Sequence, residues 1–244
     1  LDGFEWCMSR ETTDSEAMKG GIVCDEMGLG KTILMLGCIM INRVGRTLIV
    51  VPPSLLNQLK TCIQLFLKHK VCIYHGPSVK NITLEQVKSK QVVLTTYGMI
   101  ASRGTSYKSL LWKIRWDRLI CDEAHHMRNP KTNICKGAFR ILADIKWLVT
   151  GTPIQNSTTD IRVLFALLGK VIRGEEQLRE YIQNYVLRRT KKSVGIVLPK
   201  HKKTGITVSW ESKVEENLAA SIHAQLPLFD VSVENVNEII EYLD

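Results

Sequence analysis

Short runs of Val, Ile and Leu punctuate the chain at Ile22-Val23-Cys24, Leu48 to Val51, Val71 to Tyr74, Val92 to Thr95, Leu119 to Cys121 and Trp147 to Val149, with helical stretches between them. That alternation predicts an α/β fold, a parallel sheet with helices on both faces. In such sheets ligands bind beyond the carboxyl ends of the strands. The polar clusters of this chain fall there, each directly after an apolar run.

The character changes after Pro153. Helical patterns are expected at Asp160 to Leu168 and Glu175 to Val186, followed by the basic run Arg188-Arg189-Thr190-Lys191-Lys192. Lys203 to Trp210 alternates like an edge strand, and Lys213 to Gln225 and Glu234 to Leu243 read as helices. Residues from about 188 onward are too few and too polar to build a core of their own. The expected organisation is therefore one lobe over residues 1–187 and a mainly helical connector, leading to a second lobe, over 188–244. The basic run is open to three readings: a nuclear address, a phosphate contact or a solvated charged face.

Composition narrows the class without choosing within it. The 244 residues are 45% hydrophobic and 23% charged, as in ordinary globular domains. The longest apolar run, Ile33 to Ile41, is far short of the roughly 20 residues that span a bilayer. No secretory signal is visible, and no membrane partner is expected. Seven cysteines, an odd number with no C-x-x-C pair, speak against a disulfide framework and a structural zinc site, and for a reducing nuclear or cytosolic setting. A net charge of +9 favours an anionic partner of unspecified kind.

The most specific chemistry lies at Asp25-Glu26-Met27-Gly28-Leu29-Gly30-Lys31-Thr32, between a strand and an apolar helix. Gly28 and Gly30 let the backbone curl so that successive N–H groups face an anion, and the helix beginning at Lys31 adds its positive dipole end. Lys31 would meet terminal phosphates and the Thr32 hydroxyl would ligate Mg²⁺, so ATP with Mg²⁺ is the expected cofactor. The general pattern has Gly at the first loop position, where this chain has Asp25. A second cluster, Leu119-Ile120-Cys121-Asp122-Glu123-Ala124-His125, ends another strand in two acids. Asp122 is suited to the metal, directly or through water, and Glu123 to orienting and deprotonating an attacking water. Paired acids after a strand also serve as helix caps or solvent-facing residues; the loop upstream and Gly151-Thr152-Pro153 downstream favour the catalytic reading.

These residues resemble the SWI/SNF-type ATPases of helicase superfamily two, which are double-stranded-DNA translocases. The likeness runs in order through DEMGLGKT at 25–32, LIVVPPSLLNQ at 48–58, TTYG at 95–98, Trp116 to His125, LVTGTPIQN at 148–156, LRRTK at 187–191 and Leu198-Pro199-Lys200. It implies a RecA-like phosphate-loop lobe, ATP hydrolysis coupled to movement on duplex DNA, and a second RecA-like lobe in the same or another chain. It also implies that His125, Thr150, Gly151, Thr152 and Gln155 couple the γ-phosphate to the DNA-holding surface. Pro52, Ser54, Thr95, Thr96 and Tyr97 match segments that track a DNA backbone, although helix caps and turns use the same residue types.

The chain departs from the family at several places. It opens at Leu1-Asp2-Gly3-Phe4-Glu5-Trp6, inside the family's first helix and past its adenine-reading glutamine. Leu59 stands where Trp is usual, and the segment from Leu168 to Val186 is shorter than the family's helical protrusion. Nothing after residue 200 resembles the second lobe. A catalytically silent DNA-binding or interaction module that keeps the fold is the rival reading. A small-molecule kinase or generic phosphate-loop enzyme is the other, and TGTPIQN weighs against it.

Overall fold

All six apolar runs form strands, and a seventh joins them. In a computed structural model describing residues 2–13, 18–67, 71–102, 109–152, 158–196 and 211–225, the strands are β1 (Lys19–Val23), β2 (Thr47–Val51), β3 (Val71–Tyr74), β4 (Val92–Thr96), β5 (Arg115–Asp122), β6 (Leu142–Val149) and β7 (Val186–Leu187). They build one sheet in the order β3-β4-β2-β5-β6-β1-β7, and every recorded pairing is parallel.

The helices are α1 (Asp2–Thr12), α2 (Lys31–Ile41), α3 (Leu56–Leu67), α4 (Leu84–Lys88), α5 (Tyr97–Ile100), α6 (Asn133–Ala138), α7 (Thr158–Leu167) and α8 (Glu175–Tyr185). Strand residues alternate between two cores. Leu48, Val50, Leu119, Cys121 and Leu148 face one in which α4 to α8 take part, and Ile49, Val51, Ile120, Trp147 and Val149 face another with α1, α2 and α3. Burial on both faces is why each inner strand contains an unbroken apolar stretch. RecA-like phosphate-loop lobes have this architecture, with every strand's carboxyl end at the same edge of the sheet.

Two expectations change. The helical pattern at Glu175 to Val186 ends at Tyr185, because β-branched Val186 pairs with Ile22, and Leu187 with Val23, on the free edge of β1. The first compact unit extends over Leu1–Val197, so the basic run belongs to it. In the second unit, Leu198–Asp244, the helix expected at Lys213 to Gln225 is present as α9 (Lys213–Gln225). The patterns at Lys203 to Trp210 and Glu234 to Leu243 lie outside the described residues.

One polar cluster is built into the core. Arg118 of β5 is fully buried and forks onto Glu11 of α1, Nε to Oε1 at 2.7 Å and Nη2 to Oε2 at 2.5 Å. Trp147 Nε1 and Asn42 Nδ2 each donate to the same carboxylate at 2.7 Å, and Arg118 Nη2 also donates to the Asn42 carbonyl at 2.8 Å. With its oxygens and N–H groups satisfied in this way, the ion pair recovers much of its desolvation cost and ties α1 to β5, β6 and the end of α2.

Candidate functional site

The phosphate loop takes the shape its glycines allow. Gly28 and Gly30 have φ of 87° and 76°, left-handed values that side-chain-bearing residues rarely adopt, and Gly30 is the N-cap of α2. Lys31 Nζ lies inside the loop, donating to the carbonyls of Asp25 at 2.8 Å and Glu26 at 3.4 Å. Asp25 is fully buried, whereas Met27 is 69% exposed at the crest.

Opposite the start of α2, β5 delivers the two acids. Thr32 and Asp122 line one cleft of about 240 Å³ together with Ile33, Leu55, Gln58, Leu59 and Cys62. Burial first, and the Glu123 carboxylate second, raise the Asp122 pKa; the Glu123 N–H, which donates to Asp122 Oδ1 at 3.0 Å, and Lys31 act the other way. Glu123 has φ 53°, the only positive φ at a non-glycine among the described residues. Such a residue stores roughly 1–3 kcal/mol of backbone strain, and these cluster at functional sites.

His125 joins this edge to β6. Its Nδ1 lies 3.2 Å from Glu123 Oε2 and 3.2 Å from Thr150 Oγ1, while Thr150 Oγ1 accepts from the Thr152 N–H at 3.2 Å. Burial, then Arg128, lower the His125 pKa and so favour its neutral imidazole. Gly151 brings the segment against the loop: a Cβ there would stand 3.3 Å from Met27 Cγ and 3.7 Å from Lys31 Nζ. Thus His125, Thr150, Gly151 and Thr152 are brought together with Lys31 and Glu123. Gln155 lies outside the described residues.

The residues matched to DNA-tracking segments divide. Ser54 is exposed and Pro52 half-buried, at a turn of 3₁₀ helix (Pro53–Leu55) leading into α3. Thr95, Thr96 and Tyr97 are buried, and their side chains are engaged within the protein. Thr95 Oγ1 donates to the Tyr74 carbonyl at 2.7 Å, Thr96 Oγ1 meets His75 Nδ1 at 3.0 Å, and Tyr97 OH donates to the Asp122 carbonyl at 2.5 Å. As buried hydroxyls do, these three have internal partners.

Sequence reasoning also missed the neighbour of the loop. Beyond β7 the chain keeps a parallel ladder with it, Cys24 N–H to Leu187 O at 2.7 Å and Glu26 N–H to Arg189 O at 2.9 Å. Arg189 then donates from its backbone N–H to Asp25 Oδ1 at 2.9 Å and from Nη2 to Oδ2 at 2.5 Å, and the Lys191 N–H donates to Glu26 Oε2 at 2.7 Å. The basic run is therefore not simply a solvated face. The available signal was charge complementarity between Asp25-Glu26 and Arg189 with Lys191, which no local pattern locates.

With this geometry in view, comparison with known proteins is decisive for the family. Residues 1–177 match the family model of the SNF2-related domain. The chain belongs to that family. Similar proteins include the DNA repair protein RAD5B of Arabidopsis thaliana, 28% identical over 74% of this chain and 19% of that protein. The DNA excision repair protein ERCC-6-like of Danio rerio is 32% identical over 80% of this chain and 14% of that protein. The chain thus spans less than a fifth of these relatives. The SWI2/SNF2 ATPase core of Sulfolobus solfataricus, solved in complex with dsDNA, superposes with a TM-score of 0.65 at 23% identity, covering 80% of this chain and 44% of that one. It shares the fold of this SNF2-related lobe.

Proposed function

We propose that this SNF2-related lobe binds ATP with Mg²⁺ and that, within a SWI/SNF-type enzyme, its hydrolysis drives translocation along duplex DNA. The observation that carries the reading is that Thr32, the last residue of the loop, and Asp122 line one cleft, with Glu123 held beside Asp122. Lys31 and the loop N–H groups hold the phosphates. Thr32 and Asp122 offer hard oxygen donors lining the same cleft, a set that fits Mg²⁺, and a cation there would offset the burden of the buried Asp122 charge. When bound, Mg²⁺ supplies charge neutralisation to the transferring phosphoryl group. Glu123 orients and deprotonates the attacking water, and His125 with Thr150 to Thr152 relays the state of the site across the sheet edge. A second RecA-like lobe completes the engine in this reading.

Duplex DNA as the track is supported by the net charge of +9 and by the DNA seen with the Sulfolobus relative. Pro52, Ser54 and backbone groups around Thr95 to Tyr97 form its phosphate-facing rim. The relatives' names support DNA repair as the setting, with the nucleus as the compartment in this reading. The test separates binding from chemistry. Lys31→Ala is expected to abolish binding of a fluorescent ATP analogue, whereas Glu123→Gln keeps ATP bound and stops phosphate release in any active form of the enzyme. Hydrolysis retained by Glu123→Gln would overturn the assignment.

A further inference from the structure

A phosphate loop works by presenting positive partial charge, so carboxylates inside it are electrostatically out of place. This loop opens with two, and Asp25 occupies the position where the general pattern has glycine. Its side chain is fully buried, and its own carbonyl oxygen receives Lys31 Nζ at 2.8 Å. The basic run answers both acids. Besides the backbone and Nη2 contacts already described, Arg189 Nε lies 3.2 Å from Asp25 Oδ1 and 3.1 Å from Oδ2, and Lys191 Nζ lies 3.7 Å from Glu26 Oε1. Gly3 of α1 completes the seat, because a Cβ there would collide with the Arg189 guanidinium.

We propose that Arg189 is a charge-neutralising residue of the nucleotide site: it cancels the Asp25 carboxylate that would otherwise repel the nucleotide phosphates. The inference rests on the ATP-binding reading above. It differs from a simple staple in the sign of one effect. If the pair only holds two segments together, removing either partner weakens nucleotide binding. If Arg189 neutralises Asp25, losing the arginine exposes the phosphates to an uncompensated charge, while losing the carboxylate leaves the site more positive.

Binding of a fluorescent ATP analogue with Mg²⁺ to the 244-residue chain decides between them, with thermal melting of each variant in the absence of nucleotide as a separate record of folding. Arg189→Gln is expected to weaken binding roughly ten- to hundredfold, the effect of one uncompensated, poorly screened charge in the phosphate loop. Arg189→Lys retains the charge and binds within about threefold of wild type, a loss of no more than one directed hydrogen bond. Asp25→Asn binds as tightly as wild type or more tightly, and Asp25→Asn with Arg189→Gln recovers the affinity lost in Arg189→Gln.

Weakened binding by Asp25→Asn, unchanged binding by Arg189→Gln, or no recovery in the double variant overturns the proposal. Should Arg189→Gln fail to fold, Asp25→Asn and the double variant still give the sign. Failure of wild type to bind, or equal binding by Lys31→Ala, counts instead against the ATP-binding reading itself.

Discussion

At the scale of single residues, Asp122 is held where its charge is disfavoured, burial and Glu123 together raising its pKa from 3.8. A carboxyl whose folded pKa lies above its unfolded value favours the folded state most at low pH, and loses that contribution as pH rises through the folded value. In its ionised form Asp122 therefore burdens the fold. Asp122→Asn is expected to raise stability at pH 7 by about 0.5–2 kcal/mol, the usual return for relieving a functional site, while abolishing the stabilisation that Mg²⁺–ATP gives wild type. In thermal melts the gap between variant and wild type should close as pH falls below 3.8; a gap independent of pH would show that the carboxyl is not the source. The same locality that strains this site made it readable. Lys31, Thr32, Asp122 and Glu123 sit at fixed offsets from a strand end or helix start, so spacing made them candidates, and the order of the loop, the acids and Gly151-Thr152-Pro153 along the chain favoured them. Thr95, Thr96 and Tyr97 occupy equally telling positions, yet a hydroxyl at a strand end serves an internal acceptor as well as a DNA phosphate. The Tyr74 carbonyl that takes Thr95 comes from the neighbouring strand, 21 residues away.

At the scale of elements, the five inner strands were legible because burial on both faces leaves an apolar run, and the edge strand β3 because Val71 to Tyr74 is itself apolar, whereas β7 has only two residues and continues the hydrophobic pattern of α8. Its place is set by the edge of β1, and the Arg189–Asp25 partners are 164 residues apart. The Glu11–Arg118 pair, 107 residues apart, was invisible for the same reason: a glutamate late in a short polar helix carries no mark of burial until its guanidinium partner is placed. Both side chains are fully buried, so removing one strands the other's charge. Glu11→Ala is expected to cost about 3–5 kcal/mol in chemical denaturation. Glu11→Leu with Arg118→Met should recover part of that loss, since no unpaired charge remains, though Trp147 Nε1 and Asn42 still lack their acceptor. Equal losses in the single and double variants would mean that packing of α1, rather than charge, sets the cost.

For the molecule as a whole, a charge of +9 and phosphate-facing groups without base-reading side chains predict weak, sequence-independent binding to duplex DNA. Affinity for unrelated duplexes should fall roughly ten- to hundredfold between 50 and 200 mM salt, as counterion release at a few phosphate contacts requires; a marked sequence preference or salt-insensitive binding would count against a translocase lobe. Turnover follows from where the arginines are. Arg189, seated against the phosphate loop, commits its guanidinium to Asp25, and Arg188 is exposed and makes no hydrogen bond or ion pair among the described residues. In the ATP-binding reading, the charge that develops on the γ-phosphate during hydrolysis then meets Lys31 and the loop N–H groups from one side alone. An arginine finger is worth roughly 10³–10⁵ in rate in related phosphoryl transfers. Set against a common enzyme turnover of about 10 s⁻¹, its lack places this chain on its own at about 0.01 s⁻¹ or less even with saturating duplex DNA, although it binds Mg²⁺–ATP. Phosphate release by the purified chain, measured with and without DNA and beside the Glu123→Gln variant as background, tests this directly. DNA-stimulated turnover of several per second would show that the chain completes its own site.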